Sequence, residues 1–594
     1  MTKSNEPRAD ALTTVIGNAV KIGIIGGIVA IGIALEGMMQ AFNTRDIISG
    51  VLTLSQALLI ITFFSTAYAA IHRGNNSSWL DTLLVGVIAG LVTSALTVAL
   101  VWIGGIIPLG EVVISATKPM YDLLTFKMGY VNGSIFLLAL GAVCGLVAAI
   151  LALLPNKIRS AALSGLVALF AFGLLQDLVS TTFSDWPMLK PITSFLYTSN
   201  GLTNASAITI FVVFAALSYG RALYEKPLQA RFSLLPASTR TNAGRAGMGV
   251  GMILLLIAPI FLGLYISDVL DNVGLYLLMG LGLNIVVGFA GLLDLGYVAF
   301  YAIGAYTVGI ITSPEHATGV IHNWWLAFPF GVLAAVVAGV LLGIPVLRMR
   351  GDYLAIVTLG FGEIIRLLAL SDFLKPWEGG AQGIQGIPTP DIGPIVFVQQ
   401  QINLPLIGQI QFTPSQMFYY LFLAGCLLLI FISNRLKISR LGRAWMAMRE
   451  DEDVAQAMGI DLVATKLMAF GMGAAFGGLA GTIFAGKLQS VYPTSFSFLV
   501  SIYVLSIIII GGMGNVTGVI FGALTVYGLP ELLREVGDYR YLIFGALLVV
   551  MMLVRPEGLL PEARRKMELE EFREEADKPP TPPESVPLKT MGRP

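Results

Sequence analysis

Two charged residues stand inside a long apolar stretch of this chain, LRMRGDYLAIVTLGFGEIIRLL (residues 347–368). Glu363 and Arg366 lie three residues apart, which places them on one face of a helix where they can form an ion pair. An ionisable residue within a segment of membrane-spanning length is by default a functional candidate, because a charge in lipid is costly. The pair either lines a substrate path or fixes helix packing, and the spacing leaves both open. Glu36, in the first apolar stretch, has the same two interpretations and no evident partner.

A second pattern, GTIFAGKL (residues 481–488), nearly matches the P-loop that binds nucleotide phosphates. That motif requires a Ser or Thr after its lysine, whose hydroxyl holds Mg²⁺. Leu488 stands in that place, and the surrounding residues favour an apolar helix instead of a strand, loop and helix. We therefore predict that the chain has no ATPase site of its own and is not an enzyme.

Metal and nucleic-acid chemistry are not indicated by the sequence. The chain has 36 basic and 36 acidic residues, so its formal net charge is zero and no nucleic-acid partner is expected. His72, His316 and His322 lie at or near loops, and Cys144 and Cys426 lie within apolar runs. No cluster has the spacing of metal ligands, and the cysteines resemble small buried apolar residues. We predict no metal site.

The composition predicts the fold class. Hydrophobic residues make up 56% of the 594 residues and charged residues 12%, whereas an average soluble domain has about 25% charged residues. Many apolar runs reach the roughly 20 residues that span a bilayer as a helix. We predict an all-α, polytopic integral membrane protein with about 14–16 transmembrane segments, some of them interrupted by glycine or re-entrant.

Sixteen apolar segments support this prediction. They cover residues 19–41, 48–71, 82–106, 134–154, 160–182, 205–222, 247–267, 273–291, 296–313, 324–347, 352–371, 416–434, 465–488, 497–512, 516–530 and 541–554. Lys and Arg concentrate in every second loop, which by the positive-inside rule puts both termini in the cytoplasm.

The loop composition divides the chain into four parts. Residues 1–222 are expected to form an N-terminal membrane extension of about six helices, and residues 223–246 a basic cytoplasmic linker. Residues 247–561 form a core of eight to ten membrane segments, and the Pro-rich residues 562–594 a disordered cytoplasmic tail.

Polar and small residues in the core mark a candidate substrate path. The segment 274–310 is rich in glycine and carries Asn284 and Tyr301, which either line a path or join helices. The outer loop contains GGAQGIQGIP (residues 379–388), a flexible or tightly turned segment with free backbone N–H groups. The candidate substrate-path residues are Asn284, Gly288, Tyr301, Tyr353, Glu363, Gly379 and Gly380.

The most charged stretch, GRAWMAMREDEDVAQAMGID (residues 442–461), lies between two apolar segments. As a helix it is amphipathic, with Trp445, Met448 and Ala455 able to share an apolar side, and Gly459 favours a helix stop. It is either a solvated loop helix or a docking surface on the cytoplasmic side.

Six motifs in order resemble one family. They are LNIVVGFAGLLDLGYVAFYAIGAYT, LRMRGDYLAIVTLGFGEIIRLL, GGAQGIQGIP, GRAWMAMREDEDVAQAMGI, GGMGNVTGVIFGA and RPEGLLP, and they span about residues 247–561. This order resembles the LivM-type permease subunit of branched-chain amino acid ABC importers. In LLDLGYVAF, Asp294 and Tyr297 stand where Ser and His are usual in that family.

The resemblance implies an importer of branched-chain or related amino acids in the bacterial cytoplasmic (inner) membrane. It implies a LivH-like second permease, two cytoplasmic ABC ATPase subunits and a periplasmic amino-acid-binding protein, besides membrane lipid. The permease itself needs no cofactor, because ATP binds to the partner subunits. Residues 442–461 would be the coupling helix that contacts an ATPase subunit, with coupling residues Arg449, Asp451, Glu452, Ala457, Met458 and Gly459.

Other functions remain open from the sequence. The chain could be a stand-alone secondary transporter or channel for small solutes, although few charged residues lie along a midplane path. It could also be an ABC permease for urea or short amides. A purely structural role is open for residues 1–245.

Overall fold

The computed structural model describes residues 8–74, 78–184, 189–233, 237–314, 321–346, 349, 351–393, 397, 400–404 and 408–560, and helices dominate it. The α-helices are α1 (Arg8–Leu35), α2 (Met38–Ala41), α3 (Leu54–Arg73), α4 (Trp79–Ile106), α5 (Lys118–Leu124), α6 (Tyr130–Leu153), α7 (Asn156–Leu174), α8 (Gln176–Ser184), α9 (Lys190–Leu196), α10 (Asn204–Ser233), α11 (Ala237–Leu283), α12 (Val298–Thr312), α13 (Trp324–Val346), α14 (Asp352–Leu370), α15 (Lys375–Glu378), α16 (Pro414–Ile438), α17 (Arg440–Glu450), α18 (Glu452–Ala457), α19 (Leu462–Leu488), α20 (Phe498–Gly511), α21 (Val516–Ala523), α22 (Leu529–Leu532) and α23 (Tyr539–Val554).

Shorter elements join these helices. There are 3₁₀ turns at Phe42–Thr44, Leu109–Glu111, Gly380–Gln382, Pro493–Phe496 and Arg534–Val536, and π-helices at Asn284–Phe289 and Leu524–Gly528. The strands β1 (Asp46–Ile48), β2 (Leu52–Thr53), β3 (Ile384–Gln385), β4 (Gln400–Leu404), β5 (Gly408–Phe412) and β6 (Ser490–Val491) form three antiparallel pairs, β1–β2, β3–β6 and β4–β5.

The described residues confirm an all-α polytopic membrane protein. They contain 11 helices that are long and apolar enough to cross a membrane, and four shorter apolar helices, Val298–Thr312, Phe498–Gly511, Val516–Leu532 and Tyr539–Val554. Together these helices account for every predicted apolar segment. The predicted segments 247–267 and 273–291 fall within one run of 41 residues, Gly249–Phe289, which a kink at Gly263 divides into two helices.

That long run bends at Gly263, whose backbone leaves the helical region (φ 75°, ψ −176°). Pro259 lies one turn earlier and has no N–H to donate to the preceding turn. Side chains of α16 satisfy the carbonyl groups at the bend. The donors are Tyr419 to Leu255 (2.9 Å), Tyr420 to Leu256 (2.9 Å) and Gln416 to Pro259 (2.8 Å). A bent backbone at membrane depth persists when its freed polar groups find such partners.

The predicted linker at residues 223–246 is helical in its described parts. The helix α10 continues to Ser233 and α11 begins at Ala237, on either side of residues 234–236. Helix formers such as Ala, Leu, Gln and Arg are frequent in this segment, and they outweigh its turn formers. The predicted tail at residues 562–594 lies outside the described residues.

The chain divides into two compact units, residues 1–252 with 532–539, and residues 253–531 with 540–594. In the first unit, α4 and α6 cross at Gly86 and Gly90 of one helix and Gly141 and Gly145 of the other. A Cβ atom added at any of these four glycines would come closer than 3.0 Å to backbone of the facing helix. Small residues at a four-residue spacing allow this close approach of two membrane helices.

In the second unit, α19 is the central helix and packs against α12 and α13. Its glycines face neighbouring backbone, and a Cβ atom at Gly481 would come closer than 3.0 Å to the carbonyl oxygen of Tyr301. Two polar side chains of neighbouring segments donate to carbonyl groups of α19. Tyr297 donates to Gly473 (2.8 Å) and Trp324 to Thr482 (3.2 Å). This core positions the candidate site.

Candidate functional site

The helical run of α11 ends in a break inside the core of the second unit. The π-helix Asn284–Phe289 follows α11, and residues 290–297 lead without regular helix to α12. The buried Asn284 side chain accepts a hydrogen bond from the backbone N–H of Gly514 (2.9 Å). A Cβ atom at Gly288 would come closer than 3.0 Å to that amide oxygen and to the Gly514 nitrogen. Only glycine fits at position 288 without a shift of these groups.

Two cations attach to this break. Arg449 at the end of α17 donates from Nη1 to the carbonyl oxygen of Gly288 (2.5 Å). Lys437 near the end of α16 donates to the carbonyl oxygen of Gly514 (3.0 Å), and its ammonium lies 5.8 Å from the ring centroid of Phe289. Residues predicted for the substrate path (Asn284, Gly288) and for coupling (Arg449) therefore meet in one contact network.

The predicted coupling helix at residues 442–461 is two helices, α17 and α18. The backbone is extended at Asp451 (φ −159°), whose carboxylate accepts from the N–H groups of Asp453 (2.9 Å) and Val454 (3.0 Å) and so caps α18. The predicted stop at Gly459 is present: its φ is 86°, and its N–H donates to the carbonyl oxygen of Gln456 (2.9 Å).

The apolar side of α17 and α18 packs against the protein's own core and is not exposed for docking. Trp445, Met448 and Ala455 are buried, and the Trp445 indole donates to the carbonyl oxygen of Thr465 at the start of α19 (2.9 Å). These side chains attach the helix pair to its own subunit, because an aromatic ring gains most from burial against the nearby core. On the opposite, solvent-exposed side of this helix pair, Val454 is 59% exposed and Met458 is 79% exposed.

Glu452 also forms an ion pair within the chain. Its carboxylate pairs with the ammonium of Lys466 on α19 at 2.9 Å, and the side-chain exposures are 19% for Glu452 and 3% for Lys466. Charge reversal at Glu452 would therefore disrupt internal structure before it reported on any partner. Four of the six predicted coupling residues are exposed, namely Asp451, Ala457, Met458 and Gly459.

Glu363 and Arg366 form the predicted ion pair on α14. The Arg366 Nε lies 3.0 Å from both carboxylate oxygens, and Nη2 also contacts Glu363. Glu363 lines a cavity of about 290 Å³ together with Leu295 in the irregular segment 290–297 and Val298 at the start of α12. Both interpretations of the pair, path and packing, remain compatible with this geometry.

The other predicted path residues, Tyr301, Tyr353 and the adjacent Gly379 and Gly380, lie on three different elements. Tyr301 is buried between Phe484 and Phe496, with ring centroids 5.1 Å and 5.0 Å away. Tyr353 is 75% exposed in the first turn of α14. Gly379 and Gly380 both have positive φ (73° and 59°), which glycine adopts without strain.

The outer glycine loop is tightly turned and fixed. Its strand β3 pairs with β6, and Ile384 within it is fully buried. Next to Gly379, burial raises the pKa of the Glu378 carboxyl above its usual range. The loop therefore covers the C-terminal ends of α12 and α19 as an ordered element.

Sequence reasoning missed two lysines and left the role of an aspartate open. Lys466 stands within an apolar run, where a cation signals a buried partner, whereas Lys437 is flanked by Arg435 and Arg440 and gives no such signal. Asp294 is fully buried. Its Oδ1 accepts from the Gly296 N–H (2.9 Å), and its Oδ2 has no hydrogen-bond partner among the described residues. The near P-loop at residues 481–488 is helical, and its Lys487 pairs with Asp268 (2.9 Å) and Asp271 (3.1 Å).

Comparison with known proteins gives consistent matches. The family model described as branched-chain amino acid transport system / permease component matches residues 265–552. The high-affinity branched-chain amino acid transport system permease protein LivM of Escherichia coli K12 is 41% identical over 345 residues, which cover 57% of this chain and 80% of that protein.

Two further relatives agree with this match. LivM of Salmonella typhimurium is 43% identical over 310 residues, covering 51% of this chain and 71% of that protein. LivH, a permease protein of the same transport system in Escherichia coli K12, is 26% identical over 302 residues, covering 49% of this chain and 93% of that protein. No solved structure matches the chain.

Proposed function

Because the chain belongs to the family of branched-chain amino acid transport system permease components, we propose that it carries branched-chain amino acids into the cytoplasm as one subunit of an ABC importer. The substrate class is taken from the names of the LivM and LivH relatives. The fold and the membrane location agree with such a permease.

One observation carries the proposal, namely the contact network between the α17–α18 helix pair and the break at residues 284–297. Arg449 joins α17 to Gly288, and the Lys466–Glu452 pair joins α18 to α19. Gly288 in turn packs on Asn284, which is bonded to Gly514. A force applied to α17 and α18 would therefore reach the break without passing through solvent or a flexible loop.

The proposal includes the partners that supply this force. Two ATPase subunits bind on the cytoplasmic side, and one of them contacts the exposed Val454 and Met458. An exposed methionine suits such a contact because its side chain adapts to a partner surface. A LivH-like second permease completes the pathway, and a periplasmic binding protein delivers the amino acid.

The proposed orientation follows the basic residues. Both termini lie in the cytoplasm, and the membrane is the bacterial inner membrane. ATP and the binding protein each favour the outward-facing state, since a ligand shifts such an equilibrium only by its differential affinity for the two states. The amino acid then leaves inward after hydrolysis.

The test replaces Met458 in the complete transporter, reconstituted in liposomes with its ATPase and binding-protein partners. Met458→Glu is expected to reduce leucine uptake at least tenfold. The matched variant Met458→Leu should retain uptake, because the replacement side chain keeps the apolar contact with the ATPase subunit. Membrane insertion, measured by protein yield, should be equal in both, since the side chain is 79% exposed. Equal uptake by the two variants would remove Met458 from the coupling surface.

The half-exposed ion pair of Glu363 and Arg366 favours a second candidate, a carrier that works alone on an ion gradient. Liposomes containing only this chain distinguish the two. Gradient-driven leucine uptake without ATPase subunits would contradict the ABC assignment. Urea or short-amide uptake by the complete transporter, with no leucine uptake, would instead change the substrate.

A further inference from the structure

A partly open cavity of about 290 Å³ lies beside α14 in the second unit, near the lower limit of volumes that hold small ligands. Its lining includes Leu295, Val298, Leu359, Phe496, Phe498 and Glu363. It lies beside two interruptions of helix, residues 290–297 and the 3₁₀ turn Pro493–Phe496. In transporters, interrupted helices commonly border the substrate site.

The cavity has one charged corner. Glu363 is the only charged residue among the described lining residues, and Arg366 holds its carboxylate from the next turn of α14. Glu363 lies 11 residues after the start of α14, about 16 Å along the axis at 1.5 Å per residue. This places the pair beyond the middle of a helix that spans the bilayer.

The pair is accessible in the single chain. The side-chain exposures are 40% for Glu363 and 27% for Arg366. Charged groups at membrane depth almost always face a protein interior or a water-filled cavity and not lipid, because the cost of exposing them to lipid is several kcal/mol. This side of α14 therefore faces water or another protein in the working assembly.

We infer that Glu363 and Arg366 bind the two charges of a zwitterionic α-amino acid whose apolar side chain fills the adjoining cavity. The ammonium contacts the Glu363 carboxylate and the ligand carboxylate contacts the Arg366 guanidinium. This inference rests on the proposed function, and it adds the two residues that recognise the amino acid backbone within the permease.

Charge complementarity supports this ligand over its neutral relatives. A zwitterion adds no net charge to a neutral ion pair, and each of its charged groups forms a charge-assisted hydrogen bond. An amine without the carboxylate leaves Arg366 without a ligand partner, and a carboxylate without the amine leaves Glu363 without one. Either ligand also adds a net charge to a site at membrane depth. The apolar lining selects an aliphatic side chain, although it separates homologues by only one or two orders of magnitude.

The experiment measures binding of radiolabelled leucine to the complete transporter in nanodiscs without its soluble binding protein. Unlabelled leucine should compete, whereas 3-methylbutylamine and 4-methylpentanoate, which each lack one charge of leucine, should compete at least about tenfold less well. Equal competition by the three compounds, or a lack of leucine binding, would overturn the inference.

Variants separate recognition from packing. Glu363→Gln and Arg366→Gln should each weaken leucine binding at least about tenfold. The control Glu531→Gln alters another partly buried pair, Glu531–Arg540 (3.1 Å, exposures 27% and 20%), and should bind leucine normally. Protein yield and thermal stability of all variants are measured in parallel.

The double variant Glu363→Arg with Arg366→Glu gives the decisive comparison. It restores an ion pair three residues apart but puts the cation in the cavity lining, so packing should recover while leucine binding stays weak. Full recovery of binding would show that the pair has only a structural role and would overturn the inference.

Leu359→Trp, which fills the cavity, should weaken leucine binding independently of the ion pair. Unchanged binding in this variant would also contradict the inference. ATP-driven leucine uptake by the unaltered transporter is measured separately, so a failure of the proposed function is distinguished from a failure of this site.

Discussion

Replacement of Lys466 by Met should loosen the α17–α18 helix pair without unfolding the membrane core. The side chain of Lys466 is 3% exposed, and its ammonium lies 2.9 Å from the Glu452 carboxylate. Removing one partner of a buried pair costs about 3–5 kcal/mol. Glu452 is 19% exposed, so water can solvate part of its charge, and we expect about 2 kcal/mol.

This cost applies to the local opening of α17 and α18. Since each 1.4 kcal/mol is a tenfold change, about 2 kcal/mol accelerates amide hydrogen exchange in Glu452–Ala457 roughly thirtyfold. Exchange in the centre of α19 should stay unchanged. Hydrogen-exchange mass spectrometry of the protein in nanodiscs measures both regions in one experiment.

A double variant and a control complete the design. Glu452→Leu combined with Lys466→Met removes both charges, and exchange should return towards the unaltered rate because no carboxylate is left at the interface. Val463→Met changes a half-exposed neighbour in the first turn of α19 and should have no effect. If Lys466→Met exchanges like the unaltered protein, the ion pair does not hold the helix pair in place.

Two further predictions follow from close contacts. Gly481→Ala should lower the stability by about 1–3 kcal/mol, because its Cβ would meet the carbonyl oxygen of Tyr301. The control Gly360→Ala in α14 meets no atom within 4 Å and should be neutral or slightly stabilising. Heating in detergent followed by size-exclusion chromatography compares the two variants, and an equal loss of folded protein would contradict the packing argument. Arg449→Met should keep the packing but lose the hydrogen bond to Gly288, so that the amount of leucine taken up per ATP hydrolysed falls severalfold. The control Arg449→Lys should retain part of this ratio. An unchanged ratio in Arg449→Met would show that this contact does not take part in coupling.

Much of the fold could be predicted because membrane helices depend on local composition. The apolar runs predicted the spans, and the three-residue spacing predicted the pair of Glu363 and Arg366. The bend at Gly263 was missed, since it depends on side chains of α16 that lie more than 150 residues away and satisfy the carbonyl groups. Propensity alone contains no information on such partners.

The candidate site shows the same limit. The position of the α17–α18 helix pair was predicted from its charge, and its end was predicted from Gly459. Its buried side was not, because an amphipathic pattern shows that one side is apolar but not which protein covers it. Trp445 and Met448 pack on their own subunit, which only the structure reveals. The bond from Arg449 to Gly288 joins residues 161 positions apart, beyond the reach of any local pattern.

The hydrogen bond between Asn284 and Gly514 also has a consequence for biosynthesis. The two residues are 230 positions apart, so a ribosome that adds ~5–20 residues per second needs on the order of 10–50 s to supply the second after the first. During that interval the Gly514 N–H is not yet available to the Asn284 side chain. An unpaired polar group is costly in lipid, so we expect this segment to stay in contact with water or with another protein until the segment that contains Gly514 has emerged.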